Sequence, residues 1–230
     1  MPAAKIPHKV RPQWVLVDGK PHHVSDFYHL RRADRPPAFC PICSQRVTLK
    51  LGDVRVHHYA HRNDDVCAAN DPETALHLNL KLRLAEQLKR RLPLTIAQPC
   101  SGYFTCTNTR AIQWLDGWDI VQVEYKVDSY RPDIALLKDG EVLGAIEVLV
   151  THATSPEKEM YFSENNISWI EVEAEVSLYE GQTRWRAEVP LPFSRLHPEA
   201  SAWVCQECQH QKREDERRRR KAQERQCFEE

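Results

Sequence analysis

The chain carries no surplus of charge: 32 Lys and Arg stand against 33 Asp and Glu, a formal net charge of −1. It also lacks any apolar run near the roughly 20 residues of a membrane-spanning helix, so no membrane partner is expected. Its start, Met1 to Ile6, has no apolar signal-peptide core, and a cytoplasmic protein is expected. No internal repeat of solenoid type is present. What remains is 230 residues, enough for a sizeable core in one domain or one domain with small appendages. Eight cysteines could mean disulfides. Without a secretion signal, and with Cys-x-x-Cys pairs near histidines, metal binding is the better account.

The near-zero net charge hides segregation. Residues 1–60 hold ten bases and four acids, residues 112–180 fifteen acids and four bases, and residues 211–225 eight bases and four acids. An acidic middle suits a cation site and basic ends suit a polyanion, although a charged run is also what an ordinary solvated surface looks like.

Trp14 to Val24, turning at Asp18-Gly19, reads as a hairpin. Arg46–Leu51 and Val54–His58 alternate around Gly52-Asp53 as another. Asn70-Asp71-Pro72-Glu73 is a helix start, and the helix runs to about Arg91 with Leu76, Leu80, Leu84 and Leu88 as its apolar stripe. Strands follow near 94–98, 119–126, 132–138 and 142–150. A second helix starts at Thr154-Ser155-Pro156-Glu157, and the strand 167–172 joins parallel by a crossover. Pro190, Pro192 and Pro198 mark a linker, and 209–226 reads as a charged helix. The order is mixed α/β. The chain divides into a β-rich zinc-type module (1–69), a core (70–189) and a tail (190–230).

Cys40-Pro-Ile-Cys43 aims two thiolates at one point, and a second arm with two more ligands would complete a zinc tetrahedron. Candidates for that arm are His58, His61 and Cys67; His61 with Cys67 is preferred and His58 is the alternative. Four protein ligands make such a site structural. Cys100 and Cys106 could join Cys205 and Cys208 in a second zinc site, or the two pairs could be unrelated reduced thiols. Cys227 looks solitary.

Asp133 and Glu147 flank two apolar runs joined by Asp139-Gly140, a hairpin that brings two carboxylates together. Converging acids on a buried sheet are tolerable only if one is protonated or a cation lies between them, and Mg²⁺ for phosphate-ester chemistry explains both. Glu73, His77 and Lys81 are spaced to share one helical face, which ordinary surface spacing would also produce. Glu124 sits in an alternating strand and could instead pair with Lys126.

The order Cys-Pro-x-Cys, His-Tyr-Ala-His, Cys, Glu-x3-His-x3-Lys, Glu, Asp and Ile-Glu-Val, over roughly residues 13–173, resembles the competence protein CoiA-like nuclease family of the PD-(D/E)XK superfamily. The resemblance implies a restriction-endonuclease-like mixed-sheet core flanked by helices, behind a zinc-ribbon-like module, acting on DNA in recombination or competence. It implies that Asp133, Glu147 and the Val148 carbonyl bind Mg²⁺ or Mn²⁺, that His77 joins them, and that Glu124 is an outer ligand. Glu73 and Lys81 would orient water or touch the scissile phosphate. The departure is Leu149, where the superfamily pattern has lysine; Lys81 would have to replace it, with Lys126 and His152 as lesser candidates. A metal-dependent deoxyribonuclease is the leading reading. The alternatives are a non-catalytic nuclease fold that binds DNA or protein, and a zinc-stabilised adaptor that docks a protein through Arg217–Lys221.

Overall fold

Among the described residues twelve strands form two five-stranded sheets and one two-stranded sheet, with three α-helices, and the local sequence explains most of them. The computed structural model describes residues 10–62, 67–174 and 189–229, the last six of these by backbone alone. The start Met1 to Ile6 and the side chain of Cys227 lie outside what is described.

The first sheet has the order β2-β1-β3-β4-β5, with β1 Trp14–Val17, β2 Lys20–His23, β3 Ala38–Phe39, β4 Arg46–Lys50 and β5 His58–His61. The β1–β2 turn is the expected Asp-Gly reversal. Asp18 (φ 50°) and Gly19 (φ 73°) are both left-handed, the primed turn that matches strand twist. The second hairpin departs from expectation. β4 pairs not with 54–58 but with β5, in the register Lys50↔His58 to Val47↔His61, so residues 51–57 form a loop. The alternation of Val54 to His58 misleads because Val54 is fully solvent-exposed and has no sheet face to bury.

The second sheet has the order β12-β11-β10-β9-β8: β8 Ile120–Val123, β9 Ile134–Lys138, β10 Glu141–Leu149, β11 Ser168–Glu173 and β12 Phe193–His197. β10 and β11 are parallel and the other pairs antiparallel. The crossover between β10 and β11 is helix α2, Pro156–Glu164. Asp139 (φ 52°) and Gly140 (φ 87°) form the β9–β10 turn. β8 ends earlier than expected because Glu124 turns left-handed (φ 51°) and leaves the strand.

Helix α1, Pro72–Lys89, is capped by Asp71, whose carboxylate accepts from Thr74 N, and has proline in its first turn. Leu80, Leu84 and Leu88 pack on Ile134, Leu136, Ile146, Val148, Ile170 and Val172, one face of the sheet. Ala145 and Trp169, of opposite parity, pack with Phe162 of α2 on the other face. Beside the face shared by Glu73, His77 and Lys81, α1 is covered, because Leu78 and Leu82 pack against Trp14 of the first sheet and Asn79 bonds Gln13 N and Arg11 O.

Two segments behave differently from their sequence reading. Thr109–Trp114 is a strand, β7, paired antiparallel with β6, Leu94–Pro99. The proline-marked 190–198 stretch is no free linker: Leu191 bridges to Ile96 on the edge of β6, and Phe193–His197 is β12. Proline fits there because β12 is an edge strand and its prolines flank it. The charged helix is α3, Gln206–Glu229.

Leu84 is fully buried and Leu92 is 37% exposed. Leu84→Ala is expected to lower the unfolding free energy by about 2–5 kcal/mol, and Leu92→Ala by less than about 0.5 kcal/mol, measured by denaturant titration.

Candidate functional site

Two clusters of metal-type ligands and one acidic cleft stand out. In the first cluster, Cys40 and Cys43 lie on the turn after β3, closed by Ser44 N donating to Cys40 O and Cys40 N to Gln45 O. His61 ends β5 and Cys67 opens the approach to α1. The four ligand atoms lie within 4.8 Å of one another. Cys40 and Cys67 sulfurs are 3.8 Å apart, and Cys43 Sγ is 3.2 Å from His61 Nε2. Zinc bonds of about 2.0–2.3 Å in a tetrahedron place ligand atoms roughly 3.3–3.8 Å apart. Ile42 N and Ala69 N donate to the sulfurs, and His61 Nδ1 meets Asn70 Oδ1, which fixes the ring. His58 lies outside the cluster, its Nδ1 on Val56 O at 2.8 Å.

The second cluster joins parts of the chain a hundred residues apart. Cys100, Cys106, Cys205 and Cys208 bring their sulfurs within 4.8 Å of one another, with Cys106 and Cys205 at 3.7 Å. Gly102 N and Cys205 N donate to Cys100 Sγ, and Asn108 Nδ2 to Cys205 Sγ. Ser101 N to Trp203 O and Gln98 Nε2 to Ser201 O, both 2.8 Å, tie the tail to the β6–β7 hairpin. Both clusters could hold a metal ion such as zinc, and the seven described cysteines are free thiols.

The cleft, about 620 Å³, lies between the start of α1, the β9 and β10 ends and the start of α2. Asp133 and Glu147 line it, with Glu73, His77, Arg131 and Lys158. Asp133 Oδ2 accepts from Val148 N at 3.0 Å and meets His77 Nε2 at 2.9 Å, while Lys81 Nζ is 3.3 Å from Oδ1. Burial alone pushes the Asp133 carboxyl up, but the His77 bond and the His77 and Lys81 charges more than offset it and hold it below the usual range. Glu147 is 8% exposed, and burial pushes it up to about 7 despite Lys158 Nζ at 2.7 Å from Oε1. That approach is an ion pair with poor hydrogen-bond alignment, so Oε1 lacks a well-aligned donor.

The other expected residues are spread around this pair. Lys81 is buried and spends its charge on Glu124 at 2.6 Å as well as Asp133; neither Lys81 nor Glu124 lines the cleft, and both face the separate cavity between the first sheet and α1. Glu73 sits at the rim, bonded by Thr151 Oγ1 and 3.4 Å from His152 Nδ1. Leu149 ends β10 and supplies no charge. Lys158 is the residue the sequence reading missed. Strand alternation puts Glu147 on the α2 face, so a cation for it must come from α2, not α1. The available signal was the position of Lys158 three residues after the Ser155 cap, in the turn next to the β10 end.

A buried carboxylate oxygen met by one poorly aligned ammonium, beside a second carboxylate, fits a hard divalent cation. An α/β protein with a cleft lined by paired carboxylates and two cysteine-rich clusters that could hold a metal ion is thus defined. Residues 25–70 match the family model for competence protein CoiA, N-terminal domain. The chain is also 32% identical over 98 residues to the competence protein CoiA of Bacillus subtilis (strain 168). That stretch is 42% of this chain but spans only 26% of the relative. No solved structure matches. The N-terminal part is thus CoiA-like, and the matched family segment contains the first cluster but not the cleft.

Metal analysis of the purified protein should find two zinc equivalents, with Cys40→Ser and Cys205→Ser each losing one. Gly102→Ala should weaken the second cluster alone, because the added carbon would lie 2.6 Å from Cys208 Cβ. Glu147 yields a pH dependence. An acid whose folded value exceeds its unfolded 4.5 binds more protons when folded, so its contribution to stability is full below about 4.5 and is lost as pH rises through about 7. Without added divalent cation, Glu147→Gln should melt roughly 2–4 °C above the parent at pH 8 and level with it at pH 4.5.

Proposed function

We propose that the chain is a divalent-cation-dependent nuclease that hydrolyses phosphodiester bonds of DNA at the Asp133–Glu147 cleft, on a restriction-endonuclease-like core. The observation that carries this reading is the buried acid pair, in which Glu147 Oε1 has only a poorly aligned lysine at 2.7 Å. Asp133, Glu147 and Val148 would hold Mg²⁺ or Mn²⁺, with His77 at hand. A bound cation of this kind supplies an acidified water and polarises a phosphoryl oxygen. The chain's own groups do the rest. His77 and Val148 N fix the orientation of Asp133. Arg131 and Lys158 place positive charge on the cleft wall where a phosphate backbone would run. Glu73, Thr151 and His152 form a polar rim able to orient water.

The CoiA-like N-terminus supports a role with DNA, the polyanion that the basic ends suit. In this reading zinc in both clusters is structural, and α3, tied to the hairpin at the second cluster, adds a basic surface for DNA or for a protein partner. No described helix is long and apolar enough to cross a membrane. Leu149 favours a second reading, a nuclease fold that binds DNA or protein without cutting it.

The two separate in one assay. Single- and double-stranded DNA incubated with Mg²⁺ or Mn²⁺ should be cut by the parent, and Asp133→Ala should cut at least about a hundredfold more slowly while still binding DNA. Binding without cleavage in the parent establishes the second reading, and cleavage that survives Asp133→Ala removes the cleft from the chemistry.

A further inference from the structure

Lys158 is placed as if to stand where a cation belongs. Its Nζ lies 2.7 Å from Glu147 Oε1, in the cleft, and its side chain is 17% exposed. Asp133, by contrast, is satisfied without it, by His77, Lys81 and Val148 N. Lys158 is therefore the single charge offered to Glu147 among the described residues, and its alignment is too poor for a hydrogen bond. It keeps a second hold, donating to the Arg131 carbonyl at 2.8 Å.

The backbone beneath Lys158 is fixed. Its own N donates to the Ser155 cap. One residue before the cap, Thr154 N donates to Glu171 Oε2 at 2.6 Å, and Glu171 is held by Arg195 at 3.1 Å. Arg195 also pairs with Glu159, the residue after Lys158. A lysine with a rigid base and a four-carbon stem moves its ammonium by side-chain torsion alone.

We propose that Lys158 is the built-in counter-ion of the cleft, displaced from Glu147 by an incoming divalent cation and thereby freed to bind a phosphate group beside that cation. This rests on the cleft being a divalent-cation site. The exchange keeps Glu147 paired with a cation: an ammonium of charge +1 leaves as a metal ion of charge +2 arrives, and the ammonium's charge goes to the phosphate. It also accounts for Leu149, since the cation that this strand position does not supply comes from the first turn of α2. Lys158 would thus oppose the metal and favour the phosphate, two effects of opposite sign. A lysine kept only for packing or stability would not separate them.

The test is calorimetric, on the full chain with its zinc sites filled. Mn²⁺ is titrated into the parent, Lys158→Met, Lys158→Arg and Glu147→Gln, with thermal melts as a check on folding. Removing the competing charge should make Lys158→Met bind Mn²⁺ about tenfold more tightly than the parent. Lys158→Arg should stay near the parent and Glu147→Gln should lose the cleft site. With Mn²⁺ saturating, the 5′-phosphorylated dinucleotide pdTpdT should bind Lys158→Met about tenfold more weakly than the parent. Equal or weaker Mn²⁺ binding in Lys158→Met overturns the proposal, as does unchanged dinucleotide binding. If the opposed shifts occur and no form cuts DNA, the nuclease reading fails and the counter-ion stands. If the parent binds no more Mn²⁺ than Glu147→Gln, the cation site and the counter-ion fall together.

Discussion

Three carboxylates lie in a row across neighbouring strands, and much of the molecule is arranged to neutralise them. Asp133 directly precedes Ile134, which pairs with Ile146, so it sits beside Glu147; Glu147 is in turn opposite Glu171. Asp133 and Glu171 both raise the cost of ionising Glu147, and burial adds to it by removing screening water. Three elements answer with cations: α1 with Lys81 on Asp133, beside the His77 ring, α2 with Lys158 on Glu147, and β12 with Arg195 on Glu171. Glu171, 1% exposed, is the fully satisfied member, with Arg195 on both oxygens and Ser194 and Thr154 N in addition. Breaking such a buried pair strands a charge, so it is a structural fixture. Glu147 is the unsatisfied member, and it is the one in the cleft.

The cysteine clusters act at the other scale, that of chain closure. One binds the first sheet to the start of α1, so that Trp14 can cover Leu78 and Leu82 and bury the Lys81 side of that helix. The other binds Cys205 and Cys208 to the β6–β7 hairpin, and with Leu191 on the edge of β6 it keeps β12 against β11. Arg195 reaches Glu171 from β12. The tail that reads as a linker is therefore part of the scaffold that positions α2.

Local signals made several parts legible. The Asp-Gly turns announced both primed hairpins, Asp71-Pro72 announced α1, and Ser155-Pro156 announced α2, because caps and turns are short-range chemistry. The Cys-x-x-Cys turn and the His-Tyr-Ala-His strand end announced the first cluster. Lys158 was not legible. Its role depends on which sheet face Glu147 uses and which helix covers that face, and neither is a local property. Lys81 shows the same dependence: helical spacing placed it with Glu73 and His77, and the covering first sheet and Glu124 set its ammonium in the neighbouring cavity, 3.3 Å from Asp133.

By itself the sequence determined which residues could carry charge or bind metal, and where helices and hairpins begin. Those choices are made by side-chain chemistry and by backbone preferences over a few residues. Only the tertiary structure decided which acid lacks a partner and which lysine answers it. It also decided that four cysteines separated by about a hundred residues converge. These depend on long-range strand pairing and on desolvation, which exist only once the sheets have packed.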